Sequence, residues 1–227
     1  MKDTENRTHE MLMRVEQFCT GEHAADFPAD TRAGALAQTV HTNFTQLATQ
    51  VGEQAAARRL AQSATESKEA ARQLLRAALE QIRNTARGMD ADTPGTAARF
   101  KLTSRTDDAL LAAARAFQTN AQSLKAEFIK NELPADFLDQ LEKHLTAFEQ
   151  GRAAQATYVA RQVAATTAIR ALLKDSAQAV KQLKPIVRNK YRDDPATLAA
   201  WESASRIERP AKQKTAKTKS VAPPAQP

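Results

Sequence analysis

The chain has 227 residues, 26% of them charged and 42% apolar; 47 are alanine, while Leu, Ile, Val and Phe together supply only 40. A formal net charge of +7 is small for this length, so the scarcity of large apolar side chains reads as an alanine-rich helical protein rather than a disordered one, alanine having the best helix propensity. The single cysteine, Cys19, excludes an intrachain disulfide framework and any CxxC metal or redox pair.

The opening run Met1 to Arg7 is polar, with no apolar region behind it, so no secretory signal is expected. No apolar stretch approaches the roughly 18 residues of a spanning helix, and a soluble, cytoplasmic protein without membrane contact is expected.

Residues 3 to 20 place Met11, Leu12, Val15, Phe18 and Cys19 at helical spacing and stop at Gly21. A loop through Phe27-Pro28-Ala29-Asp30 follows, with Asp30 or Thr31 as cap of the next helix. Leu36, Val40, Phe44, Leu47 and Val51 then recur at coiled-coil spacing. Beyond Gly52 the same phase predicts Gln54, Arg58, Ala61, Thr65, Lys68 and Arg72, before Leu75, Leu79, Ile82 and Ala86 resume it. Ser63-Ala-Thr-Glu66 has the form of a capping box and favours a break near residues 62–66, one rod over 32–87 being the alternative.

Gly88 is expected to close that helix and residues 89–104 to form a loop. Thr106-Asp107-Asp108 starts a helix whose stripe runs through Leu110, Leu111, Ala114, Phe117, Ala121, Leu124 and Phe128. A short turn at 131–136, with Pro134 suited to the first helical position, turns the chain back antiparallel. From Phe137 the stripe passes through Leu141, Leu145, Phe148, Val159, Val163, Ile169, Leu173, Val180, Leu183 and Val187. One helix over 135–192 would be roughly 85 Å long, so the spacing leaves open one helix or two joined near Gly151 or Thr166. Pro185 is expected to kink that segment or end it at Lys184. Asp193-Asp194-Pro195 starts a last helix through Leu198, Trp201 and Ile207.

From Ser205 onward there are six basic residues and one acid, so the body is nearly neutral and the positive charge is a property of the end of the chain. After Pro210 the composition becomes Lys, Ala, Thr, Gln and Pro, which cannot bury a core and is expected to be disordered. The reading is therefore an all-α antiparallel bundle of five to seven helices, compact or elongated, over residues 1–209, with a basic tail over 210–227.

Reaction chemistry leaves little trace. None of the four histidines has a Glu three positions before it, as the carboxylate sites of helical bundles require. The glycines are too far apart for GxGxxG or Walker-type loops. No cofactor or metal is expected. Two features carry a functional reading beside a plainer one. Arg188, Lys190 and Arg192, with Tyr191 and Trp201 as rigid anchors, could take an anionic ligand or partner; the plainer reading folds Trp201 back onto the bundle while the charges pair locally. Lys212, Lys214, Lys217 and Lys219 could neutralise phosphates on a nucleic acid without sequence preference; the plainer reading is a solubilising tail.

The segments Leu124 to Phe128, Leu133 to Leu138, Ile186 to Pro195, Ala200 to Ala204 and Ile207 to Arg209 resemble a family of uncharacterised all-helical bacterial proteins, mainly over residues 100–210. That resemblance implies a cytosolic helical protein and brings no activity. The leading expectation is a non-enzymatic structural or protein-interaction module, through a protein partner or self-association. The alternatives are a nucleic-acid-associated protein using the tail, and an enzyme or small-ligand carrier with a site dispersed over several helices.

Overall fold

The computed structural model of the protein describes residues 3–102 and 106–208, and among them every regular element is helical. In chain order these are α1 (Asp3–Thr20), a 3-10 turn at Ala24–Asp26, α2 (Arg32–Met89), α3 (Thr96–Arg99), α4 (Asp107–Gln122), α5 (Lys125–Lys130), α6 (Phe137–Lys190) and α7 (Pro195–Ala204). The expected all-α architecture is the one observed. Among the described residues, no helix is long and apolar enough to cross a membrane.

The break favoured at 62–66 is absent, because α2 runs unbroken for 58 residues. Ser63 and Glu66, the two members of the expected capping box, lie inside it, and Glu66 Oε1 accepts from the Gln62 side chain at 3.5 Å. The reason is phase. Ala57, Ala61, Ala64 and Ala71 form the buried row, one residue out of step with the expected Arg58, Thr65 and Arg72. From Lys68 the row passes Ala71, Leu75 and Leu79, an eleven-residue step that restores the phase of the large apolar side chains without interrupting the helix.

Other boundaries also move. Gly88 lies within α2, and Met89 beyond it is buried. The expected loop after it contains α3, which ends against the fully buried Phe100. The stripe from Thr106 is two helices, since at Leu124 the backbone bonds three residues back to Ala121 (3.0 Å), and α5 starts in a new direction. Phe128 thereby meets Phe100 and Phe137, ring centroids 5.3 and 5.4 Å away. Pro134 precedes α6 rather than opening it, its carbonyl accepting from Phe137 N at 3.1 Å. α6 is one helix that continues past Pro185 to Lys190. α7 stops at Ala204, leaving Ile207 exposed.

The described residues divide into two compact units, those within 1–47 and 170–227, and those within 48–169. In the first, α1 packs against α7 and meets α2 through His9 stacked on Phe44 and α6 through Glu5 paired with Arg170; Met11, Leu12, Val15, Val40, Leu183 and Val187 are buried there. In the second, the core is Leu75, Leu79, Phe100, Phe117, Phe128, Leu141, Phe148 and their neighbours from α2, α4, α5 and α6. There α2 and α6 run antiparallel, as the pairs Gln54–Thr166 and Thr65–Gln155 require.

The start of α2 shows why one glycine is needed. Thr31 Oγ1 accepts from Gly34 N (3.0 Å) and donates to Pro28 O (2.8 Å), a cap that draws the loop over the first turn. A Cβ on Gly34 would stand 2.0 Å from the Pro28 carbonyl oxygen, whereas one on Gly88 meets nothing within 4 Å. Gly34→Ala is therefore expected to destabilise the fold by about 1–3 kcal/mol, and Gly88→Ala to leave it unchanged or gain up to about 1 kcal/mol. Urea unfolding of the two variants followed by circular dichroism checks both signs.

Candidate functional site

In the first unit, the end of α1, the 3-10 turn, the end of α6 and α7 converge on Phe18. α1 ends at Thr20 with Gly21 N bonded to Gln17 O (2.9 Å), which swings the chain into the turn holding Asp26 and Phe27. Asp194 caps α7 by accepting from Thr197 N at 3.1 Å, with Pro195 at the first helical position, as the Asp-Asp-Pro run predicts. Trp201 is then carried to the interior of the unit, fully buried, 5.3 Å from Phe18. Phe27 and Tyr191 stand 6.2 and 6.4 Å from Phe18, all edge-on, the geometry aromatic quadrupoles favour.

Of the five residues singled out here, three are gathered by this corner. Tyr191 donates to Asp26 Oδ2 at 2.7 Å, Lys190 Nζ lies 2.9 Å from Asp26 Oδ1, and Trp201 fills the interior. Arg188 pairs with Glu202 at 2.8 Å, across the turn. Arg192 is exposed and makes no ion pair among the described residues. The four tail lysines, Lys212, Lys214, Lys217 and Lys219, lie outside the described residues.

Asp26, which anchors this group, is not among the candidate site residues of the sequence, and Phe18 enters there only as part of the apolar spacing of α1. The bond from Tyr191 to Asp26 spans 165 positions, so no local spacing connects them; only the run Asp26-Phe27-Pro28 marks a turn there. The Tyr191 hydroxyl and the Lys190 ammonium hold the Asp26 carboxyl below its ordinary range. Burial, then the bond to Asp26, pushes the Tyr191 hydroxyl upward, and burial with the nearby Glu16 carboxylate pushes the Cys19 thiol up to about 12. Each group is driven away from neutrality, the reverse of what a general acid, base or nucleophile needs. The chemistry of the corner is that of a clamp.

A second surface lies in the other unit, where residues 48–67 of α2 meet 153–169 of α6. One flank is a polar ladder in which Gln54 donates to Thr166 (2.7 Å) and Gln155 to Thr65 (2.9 Å). The other is an open groove of about 540 Å³ floored by Ala57 and Ala165 and bordered by Glu53, Leu60, Arg161 and Ala164. Val159 and Val163, expected in the inward stripe, are 45% and 60% exposed. Ala165 and the half-buried Tyr158 and Gln162 take the inward positions instead. Leu60 is likewise 45% exposed.

No family model, curated protein or solved structure matches the chain, and the geometry of these two surfaces carries the functional reading. Among the described residues no group of three or more His, Cys, Asp or Glu side chains is placed to hold a metal ion.

The clamp makes a pH prediction with a definite sign. Asp26 titrates lower in the folded state, so its contribution is present above the ordinary carboxyl value of 3.8 and is lost as pH falls below it. Tyr191 titrates higher, so its contribution is present below the ordinary value of 10.0 and is lost as pH rises above it. Tyr191→Phe should cost about 1 kcal/mol at neutral pH and flatten the alkaline fall of the melting temperature, while Asp26→Asn flattens the acid fall. Melting curves from strongly acid to strongly alkaline buffer read both limbs.

Proposed function

We propose that this chain is a non-enzymatic helical module whose work is to bind protein, with the paired section of α2 and α6 in the second unit as the binding element. The observation that carries the reading is the character of the uncovered face of α6 there. Residues 153–169 contain a single charged side chain, Arg161, in a protein that is 26% charged overall. A solvated helix face ordinarily carries charges at many of its outward positions, whereas this one presents Val159, Val163 and a run of alanines. Exposed apolar surface on a charge-poor face is the mark of a contact surface. The coiled-coil spacing of the α2 row fits the same reading, since such rows are readily extended by further helices.

Photo-crosslinking in cells tests this. A crosslinker replacing Val159 or Val163 is expected to give discrete adducts that one replacing Lys143, on the exposed face of the same helix, does not. Adducts at none of these positions, or turnover of a metabolite by the purified chain, would remove the reading.

The second reading rests on charge. Six basic residues and one acid follow position 204, and a lysine-rich arm gains affinity for phosphates by releasing counterions. On that reading the full chain binds duplex DNA with an affinity that falls steeply with salt, and a chain ending at Pro210 does not. Equal binding by both would remove the arm from the account.

A further inference from the structure

We propose that Lys174, Lys181 and Lys184, flanked by Arg170 and Arg188 on α6, form a folded contact for the phosphate backbone of duplex nucleic acid, working together with the basic arm. The inference rests on the second, charge-based reading above and places part of that site in the body of the protein.

The first observation is the segregation of charge. Residues 170–192 contain seven basic side chains and one acid, Asp175, while the rest of residues 1–204 carries more acids than bases. At about 100° per residue, Arg170, Lys174, Lys181, Lys184 and Arg188 fall within about 80° of the helix circumference and cover about 27 Å of its axis. All five are exposed. Asp175 stands about 100° away from Lys174, on the side where Gln182 accepts from Arg32 of α2, so no acid of α6 interrupts the row.

The second is what these charges lack. Arg170 pairs with Glu5 and Arg188 with Glu202, but Lys174, Lys181 and Lys184 between them make no ion pair among the described residues. From α7, Glu202 faces the end of the row, and Arg188, with Lys184 adding to it, holds its carboxyl below the ordinary range. The helix dipole favours cations in the last turn only, and the three lysines all lie more than one turn before Lys190.

The third concerns the occupant. Within the arc the one remaining residue is Ala177, and the large apolar side chains of this stretch, Leu173, Val180, Leu183 and Val187, are buried in the unit. A helix that enters a lipid surface needs an apolar face free to insert, and protein interfaces are depleted of charge at their cores. Nucleic-acid interfaces are polar and strongly positive. Duplex DNA carries one negative charge per about 1.7 Å of axis, so a straight row of cations opposes phosphate along its whole length. The basic arm begins beside the same row: Arg206 lines a hollow with Lys184 and Arg188, and its carbonyl accepts from Arg14 at 2.7 Å. Three lysines alone release too few counterions to bind at ordinary salt, whereas joined to an engaged arm they multiply its affinity.

Fluorescence anisotropy of a labelled random-sequence duplex of about 25 base pairs, titrated with the full chain between about 50 and 200 mM salt, reads this. Lys174→Gln/Lys181→Gln/Lys184→Gln should weaken binding about tenfold or more and lower the slope of log affinity against log salt by about 2–3. Lys174→Arg/Lys181→Arg/Lys184→Arg should keep both. Arg59→Gln/Lys101→Gln/Lys143→Gln removes the same charge from exposed positions of the other unit and should change neither; circular dichroism checks that each variant is folded. Affinity and slope unchanged by the row variant, or lowered equally by the control, would overturn the proposal; if the chain ending at Pro210 then fails to bind, the arm reading stands without the row. A full chain that does not bind duplex removes both. Tighter binding, at equal salt, to vesicles of phosphatidylcholine and phosphatidylserine or to poly-glutamate than to duplex would also overturn it, giving the row to a lipid surface or an acidic protein.

Discussion

Close approach of α2 and α6 in the second unit is the constraint on which the rest depends. At Gly151 the approach is close enough that a Cβ would stand 3.0 Å from the Lys68 Cα. Alanines at 57, 61, 64 and 165 take the inward positions on either side of the antiparallel contact. Small side chains bury little area each, so the contact draws its strength from backbone proximity and length rather than from interdigitated leucines. The large side chains are concentrated elsewhere, in the aromatic core around Phe100, Phe117 and Phe128. This division of labour explains how a chain with so few large apolar residues keeps two well-filled interiors.

The same feature decides what was legible in the sequence. Local chemistry was read well: Thr106 caps α4 by accepting from Ala109 N, and Asp194 with Pro195 opens α7, because a cap and its partner lie three residues apart. The phase of α2 between Val51 and Leu75 was not. Alanine is common on every side of this helix, so a row of alanines gives no contrast from which to read a direction, and a one-residue slip placed Arg58 and Thr65 where Ala57 and Ala64 belong. A like slip on α6 puts Val159 and Val163 where Tyr158 and Gln162 belong. Pro185 misled in a different way, since the loss of one ladder bond is a local cost that the packing of Leu183 and Val187 on either side outweighs.

Of the candidate site residues, the sequence found Lys190, Tyr191 and Trp201 but not what joins them. Asp26 supplies both bonds to Lys190 and Tyr191 and sits at the far end of the chain from them. A carboxylate that closes such a distance leaves no periodic signature. The plainer reading, in which Trp201 folds back and the charges pair locally with Asp193, Asp194 and Glu202, describes Trp201 and the Arg188–Glu202 pair; Lys190 and Tyr191 are held instead by the distant Asp26, and Arg192 stands apart from the corner.

Trp201 is the sole indole in the chain, and it is fully enclosed against Phe18 with its Nε1 lacking a hydrogen-bond partner among the described residues. An indole so placed reports on one unit only. Its emission follows the opening of the corner built by α1, α6 and α7, while the aromatic core of the other unit contains phenylalanines alone and is silent at that wavelength. The molecule thus contains an intrinsic optical label by which the melting of one half can be followed separately from loss of helix in the whole.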